Sequence, residues 1–387
     1  MGAQWGGERS AYAPGEADID TTRRGRGTVA ILTSAALLVG VGSACSAADH
    51  LTSAMKVKQA VEKLGERDSV SVTARFDATE EQILAYLQEG EGPGKGGNAR
   101  RHARLLADLE LAAAVSAGMP LRDVARNDRF DNAAALNFGG NDVFALKSVD
   151  RKLYTRVNLA ALAREVGDDG PMAGRAGELE ELARQLPGSL ATARSALRGE
   201  WVRVSPNEFG EIGRALGGAG DGAVENSDRI AQATALLRDP ALQQQVVSAV
   251  EKALGKRARF ASAGKREGAE HITLTLNAKD AAHELGKALA PVRAQLGDPD
   301  LDMLERAPDK DVRVGLAIRH ERLSTLTVDV GQFDRGRSGA LPLKLTFAAG
   351  EVVSVAAPAD AKLLAPHDLL EALAYAASRH PELSTLR

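Results

Sequence analysis

Cys45 is the only cysteine in the chain, so its thiol is the one group available for thioether or disulfide chemistry. Three arginines between positions 23 and 26 precede it, an apolar run covers residues 29–41, and small residues fill positions 42–44. This order is typical of an export signal, with a basic region, an apolar region and a small-residue cleavage site. A single thiol has no disulfide partner within the chain, which leaves covalent attachment of another group as its chemistry.

A cysteine at the cleavage site resembles a bacterial lipobox, in which the thiol receives a diacylglyceryl group and the cysteine becomes the new N-terminus. The sequence departs from that motif at Gly42, where Leu or another aliphatic residue is preferred. The apolar run is also too short for a membrane span, which needs about 20 mainly apolar residues. We therefore expect lipidation of Cys45 and anchoring on the outer face of the cell membrane, with soluble secretion or an uncleaved N-terminal anchor as alternatives.

The export signal fixes a predicted domain organisation. Residues 1–22 are expected to be a flexible extension, or the product of a start codon assigned too early, and residues 23–45 the signal peptide. Thr22-Arg23-Arg24 also resembles a twin-arginine motif, so Sec and Tat export both stay open. The remaining boundaries are a tether at 46–54, one domain at 55–360 with a helical insertion at 79–130, and a C-terminal helix or tail at 361–387.

Composition excludes several classes of partner. The chain of 387 residues has 49 Lys and Arg against 52 Asp and Glu, a net charge of −3. Removal of residues 1–44 takes away four residues of each sign and leaves this charge unchanged. A nucleic-acid-binding protein would need a basic surface that this balance does not provide. We expect no nucleic-acid partner, and the sequence names no protein partner.

Catalytic and cofactor motifs are missing from the sequence. It contains no Gly-x-Ser-x-Gly elbow and no His-Glu-x-x-His pair. The segment Gly92–Lys95 resembles a phosphate-binding loop, but Gly96 stands where Ser or Thr would bind magnesium. The seven histidines are scattered along the chain and are expected to be solvated. The sequence therefore predicts no catalytic residues, no metal site and no cofactor, and favours a protein that is not an enzyme.

Alternation of apolar and polar residues predicts about 11 strands. Val70, Val72, Ala74 and Phe76 alternate with polar residues and exemplify the pattern. Turn sequences such as residues 139–142 join neighbouring strands into hairpins. Such alternation is typical of an antiparallel sheet with one wet face. Helical segments separate groups of strands, so we expect an α+β fold.

The order of these elements resembles that of actinobacterial lipoproteins of the LppX/LprG type over about residues 50–360. These lipoproteins share the half-barrel of the LolA and LolB carriers. The resemblance lies in the order of four elements: a hairpin at 257–276, an Asn-capped helix at 277–290, a strand pair at 312–330 and a final strand at 343–360. Before them, a strand at 152–157 leads through helices to a short strand at 200–204.

The resemblance implies a strongly curved antiparallel sheet that wraps around helices and encloses an apolar cavity. Members of the family bind acyl chains of lipids, glycolipids or lipoproteins and carry them between membrane and envelope, so a lipid or glycolipid ligand is expected. The glycine-rich insertion at 79–130 departs from the family pattern and affects the expected shape of the cavity. The candidate cavity-lining residues are Val72, Phe76, Phe138, Phe144, Tyr154, Trp201, Ile272, Leu274, Val314, Leu316 and Phe347.

Two other interpretations stay open at the level of sequence. The candidate lining residues could form an ordinary packed core, because alternation alone does not separate a filled half-barrel from a hollow one. The protein would then be a surface scaffold or sensor that binds a protein partner. A third interpretation is a cell-wall enzyme whose active site has no recognisable motif, since one fold can host many functions.

Overall fold

The structure is a computed structural model that describes residues 48–89, 99–124, 128, 130–166, 175–205, 258–290, 306–333, 339–350 and 354–379. The predicted signal segment, Cys45 and the helices expected within 206–256 lie outside the described residues. Within the described part, no helix is both long enough and apolar enough to cross a membrane.

A single curved and unclosed sheet organises the described part of the chain. Its twelve strands follow the order β12-β6-β5-β4-β3-β2-β1-β11-β10-β9-β8-β7. All described pairs are antiparallel except β12 with β6. The α+β half-barrel prediction is confirmed. The strands are β1 Ser69–Phe76, β2 Leu109–Ser116, β3 Asp131–Phe138, β4 Asn141–Val149, β5 Lys152–Val157, β6 Val202–Val204, β7 Arg259–Arg266, β8 Ala269–Asn277, β9 Asp311–Arg319, β10 Arg322–Asp329, β11 Pro342–Ala349 and β12 Lys362–Leu364.

The strand register aligns apolar side chains in rows across one face of the sheet, which we call the helix face. One row crosses nine strands from β8 to β5 without a polar residue, because directly opposed residues of an antiparallel pair share a face. The opposite face, called the outer face, carries the alternate residues of each strand. The row consists of Ile272, Leu316, Leu326, Leu345, Ala74, Leu111, Leu136, Phe144 and Val157.

Eight helices accompany the sheet in the described residues, and helix α1 covers the half of the helix face formed by β7–β11 and β1. Val57, Ala60, Val61 and Leu64 of α1 recur at helical spacing and are buried against these strands. The Lys56 ammonium also pairs with a carboxylate on β8 at 2.5 Å. The helices are α1 Ala48–Gly65, α2 Glu80–Glu89, α3 Ala99–Asp108, α4 Leu159–Val166, α5 Arg175–Gln185, α6 Ala191–Leu197, α7 Ala278–Leu289 and α8 Pro366–Arg379.

A second group of helices covers the other end of the helix face. Leu182 of α5, Leu186 just beyond its end, Ala193 of α6 and Ala372 of α8 pack with apolar residues of β5, β6 and β12. Ala193 is fully buried in this cluster, and Leu153 has 1% of its surface exposed. The sheet therefore has a packed helical layer near each of its two edges.

Helices α2 and α3 form a small cluster at one rim of the sheet, beside the end of β1 and the start of β11. Ile83 and Ala103 are fully buried there against Leu341. Helix α2 begins with a capping box, in which the Thr79 amide donates to the Gln82 side chain and the Gln82 amide donates to the Thr79 hydroxyl.

The segment between β11 and β12 crosses the outer face of the sheet. Its two flanking strands lie on opposite sides of β1–β6 in the strand order, so the connection must span the strands between them. Val355 packs against Ala114 and Ala133, and the Lys147 ammonium donates to the Ala356 carbonyl at 3.1 Å. Small alanine side chains on this face allow the crossing backbone to approach the sheet closely.

Three predicted boundaries need correction. The expected helical insertion at 79–130 contains strand β2 at the centre of the sheet, because residues 109–116 pair with both β1 and β3. The expected tether at 46–54 is helical from Ala48 onward, since α1 packs its apolar stripe on the sheet. The expected C-terminal helix or tail at 361–387 does contain helix α8, but strand β12, which pairs with β6, precedes it.

Candidate functional site

The candidate site is the part of the helix face that lies between the two packed helical layers. It consists of apolar side chains that β2, β3, β4 and β5 direct to that face and that are half-buried or exposed, and we call it the central strip. Its residues are Leu111, Ala113, Val115, Ala134, Leu136, Phe144, Leu146 and Val157. The polar residues Asn132, Ser148 and Thr155 lie on the same face beside it.

The central strip is apolar but not buried in the part of the chain that the structure describes. All of these residues are half-buried or exposed, and Phe144 has 38% of its surface exposed. Leu111 and Ala113 at one side of the strip pack against the cluster beneath α1, and Leu146 packs against the second cluster. On the outer face of the same strands, Ala112, Ala133 and Ala135 are each at most 5% exposed. This inverts the usual pattern for a two-layered fold, in which the face that carries the larger apolar residues is the buried one.

Most of the candidate lining residues outside the strip belong to the packed core beneath α1. In that cluster they are at most 8% exposed and contact the apolar stripe of the helix. Val314 is half-buried and packs against the same cluster. The α1 half of the helix face is therefore occupied by the chain itself. The members that are buried there are Val72, Ile272, Leu274, Leu316 and Phe347.

Three candidate phenylalanines follow the strip toward the α2–α3 rim. Phe144 belongs to the strip itself, and the register of β3 with β2 places Phe138 on the helix face at the same end. Phe76 is half-buried against the rim cluster of α2 and α3. The structure thus brings these aromatic side chains to one end of the strip, where hydrophobic surface is only partly covered.

Tyr154 and Trp201 lie on the outer face and not on the helix face. Tyr154 pairs directly with Lys147, whose ammonium lies 4.8 Å from the centre of the Trp201 ring. The Arg156 guanidinium lies 5.3 Å from the same ring. Two cations stacked on one indole are typical of a cation–π arrangement that orders a surface. Tyr154 and Trp201 therefore belong to the outer face, near the crossing segment.

Seven residues of the strip were not among the candidate lining residues, namely Leu111, Ala113, Val115, Ala134, Leu136, Leu146 and Val157. Residues 109–116 begin with six residues of high helix propensity in succession, which concealed the alternation of Leu109, Leu111, Ala113 and Val115. This alternation was the signal that could have identified β2. In β5 the same signal could have placed Tyr154 on the outer face, since Lys152 and Arg156 share its face.

Charged groups lie around the site but not within it. Among the described residues, no cluster of His, Cys, Asp and Glu could hold a metal ion. An ion pair beside the strip joins Arg156 and Asp142. Elsewhere, hydrogen bonds from Asn277 and Lys279 hold the pKa of the exposed Asp309 carboxyl below its usual range. The strip therefore has the chemistry of a hydrophobic contact surface.

The dimensions of the strip set the energy that it can contribute. Three spacings between neighbouring strands give about 14 Å across, and four residues along a strand give about 14 Å in the other direction. Covering these ~200 Å² with an apolar ligand would contribute about 5 kcal/mol at 25 cal/mol/Å². That corresponds to a dissociation constant near the millimolar range before any loss of entropy, so tight binding needs contacts on the second side of the ligand as well.

Two solved structures are similar to this chain. Lipoprotein LppX from Mycobacterium tuberculosis has a TM-score of 0.30 and 10% identity, over 78% of this chain and 97% of LppX. LprF from Mycobacterium bovis has a TM-score of 0.29 and 12% identity, over 79% of this chain and 95% of LprF. Both agree with the resemblance to LppX/LprG-type lipoproteins. At these TM-scores neither similarity bears on the ligand of this chain.

No protein-family model and no curated protein matches the sequence.

Proposed function

We propose that this protein is a lipid-anchored protein of the cell envelope that binds the acyl chain of a lipid or acylated molecule on the central strip. The single observation that carries the proposal is the half-exposed apolar strip between two packed helical layers. A sheet face of this kind exposes hydrophobic surface to water at a free-energy cost, and a bound acyl chain would remove that cost.

The energetics favour a chain-like ligand over a small polar one. Each methylene removed from water contributes about 0.8 kcal/mol, so a long acyl chain gains more than 10 kcal/mol in gross terms. The strip supplies apolar contact along the chain and needs no polar partner for it. The protein would act as a carrier or chaperone that shields the chain between membranes and envelope components.

Anchoring by Cys45 complements this function. Helix α1 begins at Ala48, so only residues 46 and 47 separate the proposed lipidated cysteine from the folded domain. Such a short connection would keep the domain near the membrane surface, where acylated molecules are available. Two or three acyl chains on the cysteine are required for stable attachment, since a single chain gives only marginal binding.

A photoactivatable fatty acid tests the proposed binding surface. The purified protein is irradiated with a diazirine-bearing long-chain fatty acid, and the labelled residues are identified by tandem mass spectrometry. We expect labels on Leu111, Leu136 and Phe144, with little on Ala112 and Ala135 of the outer face. Labelling spread equally over both faces would contradict the proposal.

Substitution of the cysteine tests the proposed anchor. We expect Cys45→Ala to remain in the unprocessed form or to leave the membrane fraction, whereas the unchanged protein stays with membranes and incorporates labelled palmitate. Cys45→Ser preserves the size of the side chain but cannot form the thioether, so it should behave as Cys45→Ala does. If the processed Cys45→Ala protein stayed membrane-bound after export, the anchor proposal would be wrong.

The α1-filled half of the sheet favours a second candidate function, a scaffold that binds a protein partner. Core residues such as Ile272 and Val312 are 1% exposed there and leave no room for a ligand. If the whole helix face were filled in this way, the working surface would be on the outside of the protein. Absence of any labelling of the strip by the fatty acid probe would favour this scaffold function.

A further inference from the structure

A polar pocket of about 520 Å³ lies on the outer face of the sheet, at the ends of β7, β8 and β9. It is distinct from the central strip, which faces the helices on the other side of the sheet. Its volume is within the range that is usual for small-molecule sites. The residues that line it are Arg259, Ala261, Thr275, Asp311, Arg313 and Gln332.

The strand register places two arginines on either side of a threonine in this pocket. Arg259 is directly opposite Thr275, and Thr275 is directly opposite Arg313. Two strand spacings separate the arginine backbones by about 9–10 Å, so long side chains from both can converge above Thr275. The side chains of Ala261 and Thr275 are small and line the same pocket.

Charge in the pocket is only partly compensated. Asp311 pairs with the Arg259 guanidinium. The Arg313 guanidinium has no recorded hydrogen bond or ion pair with the residues that the structure describes. The lining therefore has two positive groups and one negative group. A guanidinium retains donors beside a first partner, because it has five N–H groups in a planar fork.

Gln332 fixes the backbone that presents Arg313. Strand β10 ends at Asp329, and the Gln332 side chain takes the place of the next strand residue. Its carbonyl oxygen accepts from the Arg313 amide at 2.8 Å, and its amide group donates to the Arg313 carbonyl at 3.0 Å. A second bond from the same amide group to the Asp329 carbonyl completes the arrangement. The base of the Arg313 side chain is thereby held at the pocket instead of fraying with the strand end.

We propose that this pocket binds a phosphate oxyanion, either free or as part of a phosphate ester. Guanidinium forks match the geometry of phosphate oxygens and bind them with two parallel hydrogen bonds. Arg313 is the principal ligand, Arg259 supplies a second guanidinium, and the Thr275 hydroxyl is positioned to donate between them. The volume of the pocket exceeds that of a phosphate ion and leaves room for an esterified group. This goes beyond the proposed function, because it concerns another face and another chemical class of ligand.

Phosphorus NMR of the full-length protein in dodecyl maltoside tests the proposal. Two water-soluble probes are used: inorganic phosphate and glycerophosphoglycerol, the deacylated form of a lipid headgroup. We expect the protein to broaden the phosphorus signal, and we expect Arg313→Ala to raise the dissociation constant about tenfold through loss of charge-assisted hydrogen bonds. Arg313→Lys keeps the charge without the fork and should give a smaller loss.

Arg319→Ala is the matched control. Arg319 lies on the same strand and the same face, and it donates to the Glu267 carbonyl at 3.0 Å outside the pocket. Its substitution should leave the broadening unchanged, and thermal unfolding of both variants checks that the fold is intact.

The outcomes separate the sources of the anion. Broadening of both probes, of glycerophosphoglycerol alone or of phosphate alone would each support the site, and would assign it to any phosphate, to a headgroup or to the free ion. Broadening of neither probe, or equal losses in Arg313→Ala and Arg319→Ala, would overturn the proposal. Neither probe has an acyl chain, so failure here leaves the proposal for the central strip to its own tests.

Discussion

The exposed ring of Phe144 gives the most direct mutational test of the central strip. With 38% of Phe144 exposed and a Phe side chain covering roughly 200 Å² when fully buried, about 75 Å² remain for a ligand to cover. At 25 cal/mol/Å² this contact contributes about 2 kcal/mol. We therefore expect Phe144→Ser to weaken binding of an acyl chain about 25-fold.

A fluorescent long-chain fatty acid, titrated into the purified protein, measures this change. Leu363→Ser is the matched control, because Leu363 is a comparably exposed apolar strand residue, 45% exposed, in β12 and outside the strip. Its affinity should stay within about twofold of that of the unchanged protein. Circular dichroism and thermal unfolding confirm that both variants are folded. Equal affinities of Phe144→Ser and Leu363→Ser would refute the assignment of the strip as the binding surface.

Two further predictions concern what holds the sheet. Leu64→Ala should lower the free energy of unfolding by about 2–5 kcal/mol in urea titrations, because removal of this buried α1 side chain leaves a cavity between the helix and the sheet. Met55→Ala on the exposed side of α1 should change the free energy of unfolding by less than about 0.5 kcal/mol. Equal effects of the two substitutions would contradict the packing of α1. Lys147→Met should destabilise by about 1–3 kcal/mol and speed hydrogen exchange in the crossing segment, because it removes the bond to the Ala356 carbonyl. Lys152→Met, on an exposed position of the same face, should leave that exchange unchanged.

The fold was largely predictable from sequence because its strands are antiparallel neighbours with strict alternation. Residues 131–157 form a meander of three strands whose turns and pattern are local, and the first two strands meet at the turn that the sequence predicted at residues 139–142. The Asn277 cap of α7 was also correct, since its side chain accepts from the Asp280 amide at 3.0 Å. Local chemistry sufficed wherever both the turn and the pattern were contained in a short stretch of chain.

Long-range pairing explains the elements that the sequence did not predict. Strand β2 is alanine-rich and favours a helix in isolation, but β1 and β3 bind it on both sides and override that preference. Strand β12 has three residues and pairs in parallel with β6, which is 158 or more positions earlier in the chain. No short-range signal identifies such a partner.

The candidate site was predictable in chemistry but not in place. The sequence indicated apolar side chains on one face of a curved sheet, and nine of the eleven candidate lining residues lie on that face. It could not indicate that α1 covers the half with Ile272 and Leu316 and leaves the half with Phe144 half-exposed. Which strands a helix covers depends on tertiary packing, and alternation within a strand contains no information about it.

Native mass spectrometry of the protein purified without added lipid tests the central claim most directly. The account predicts a stoichiometric acyl-chain molecule that co-purifies, is released by organic extraction and is lost or depleted in Phe144→Ser. A clean ligand-free mass that stays unchanged after incubation with envelope lipids would contradict acyl-chain binding and favour the protein-binding scaffold.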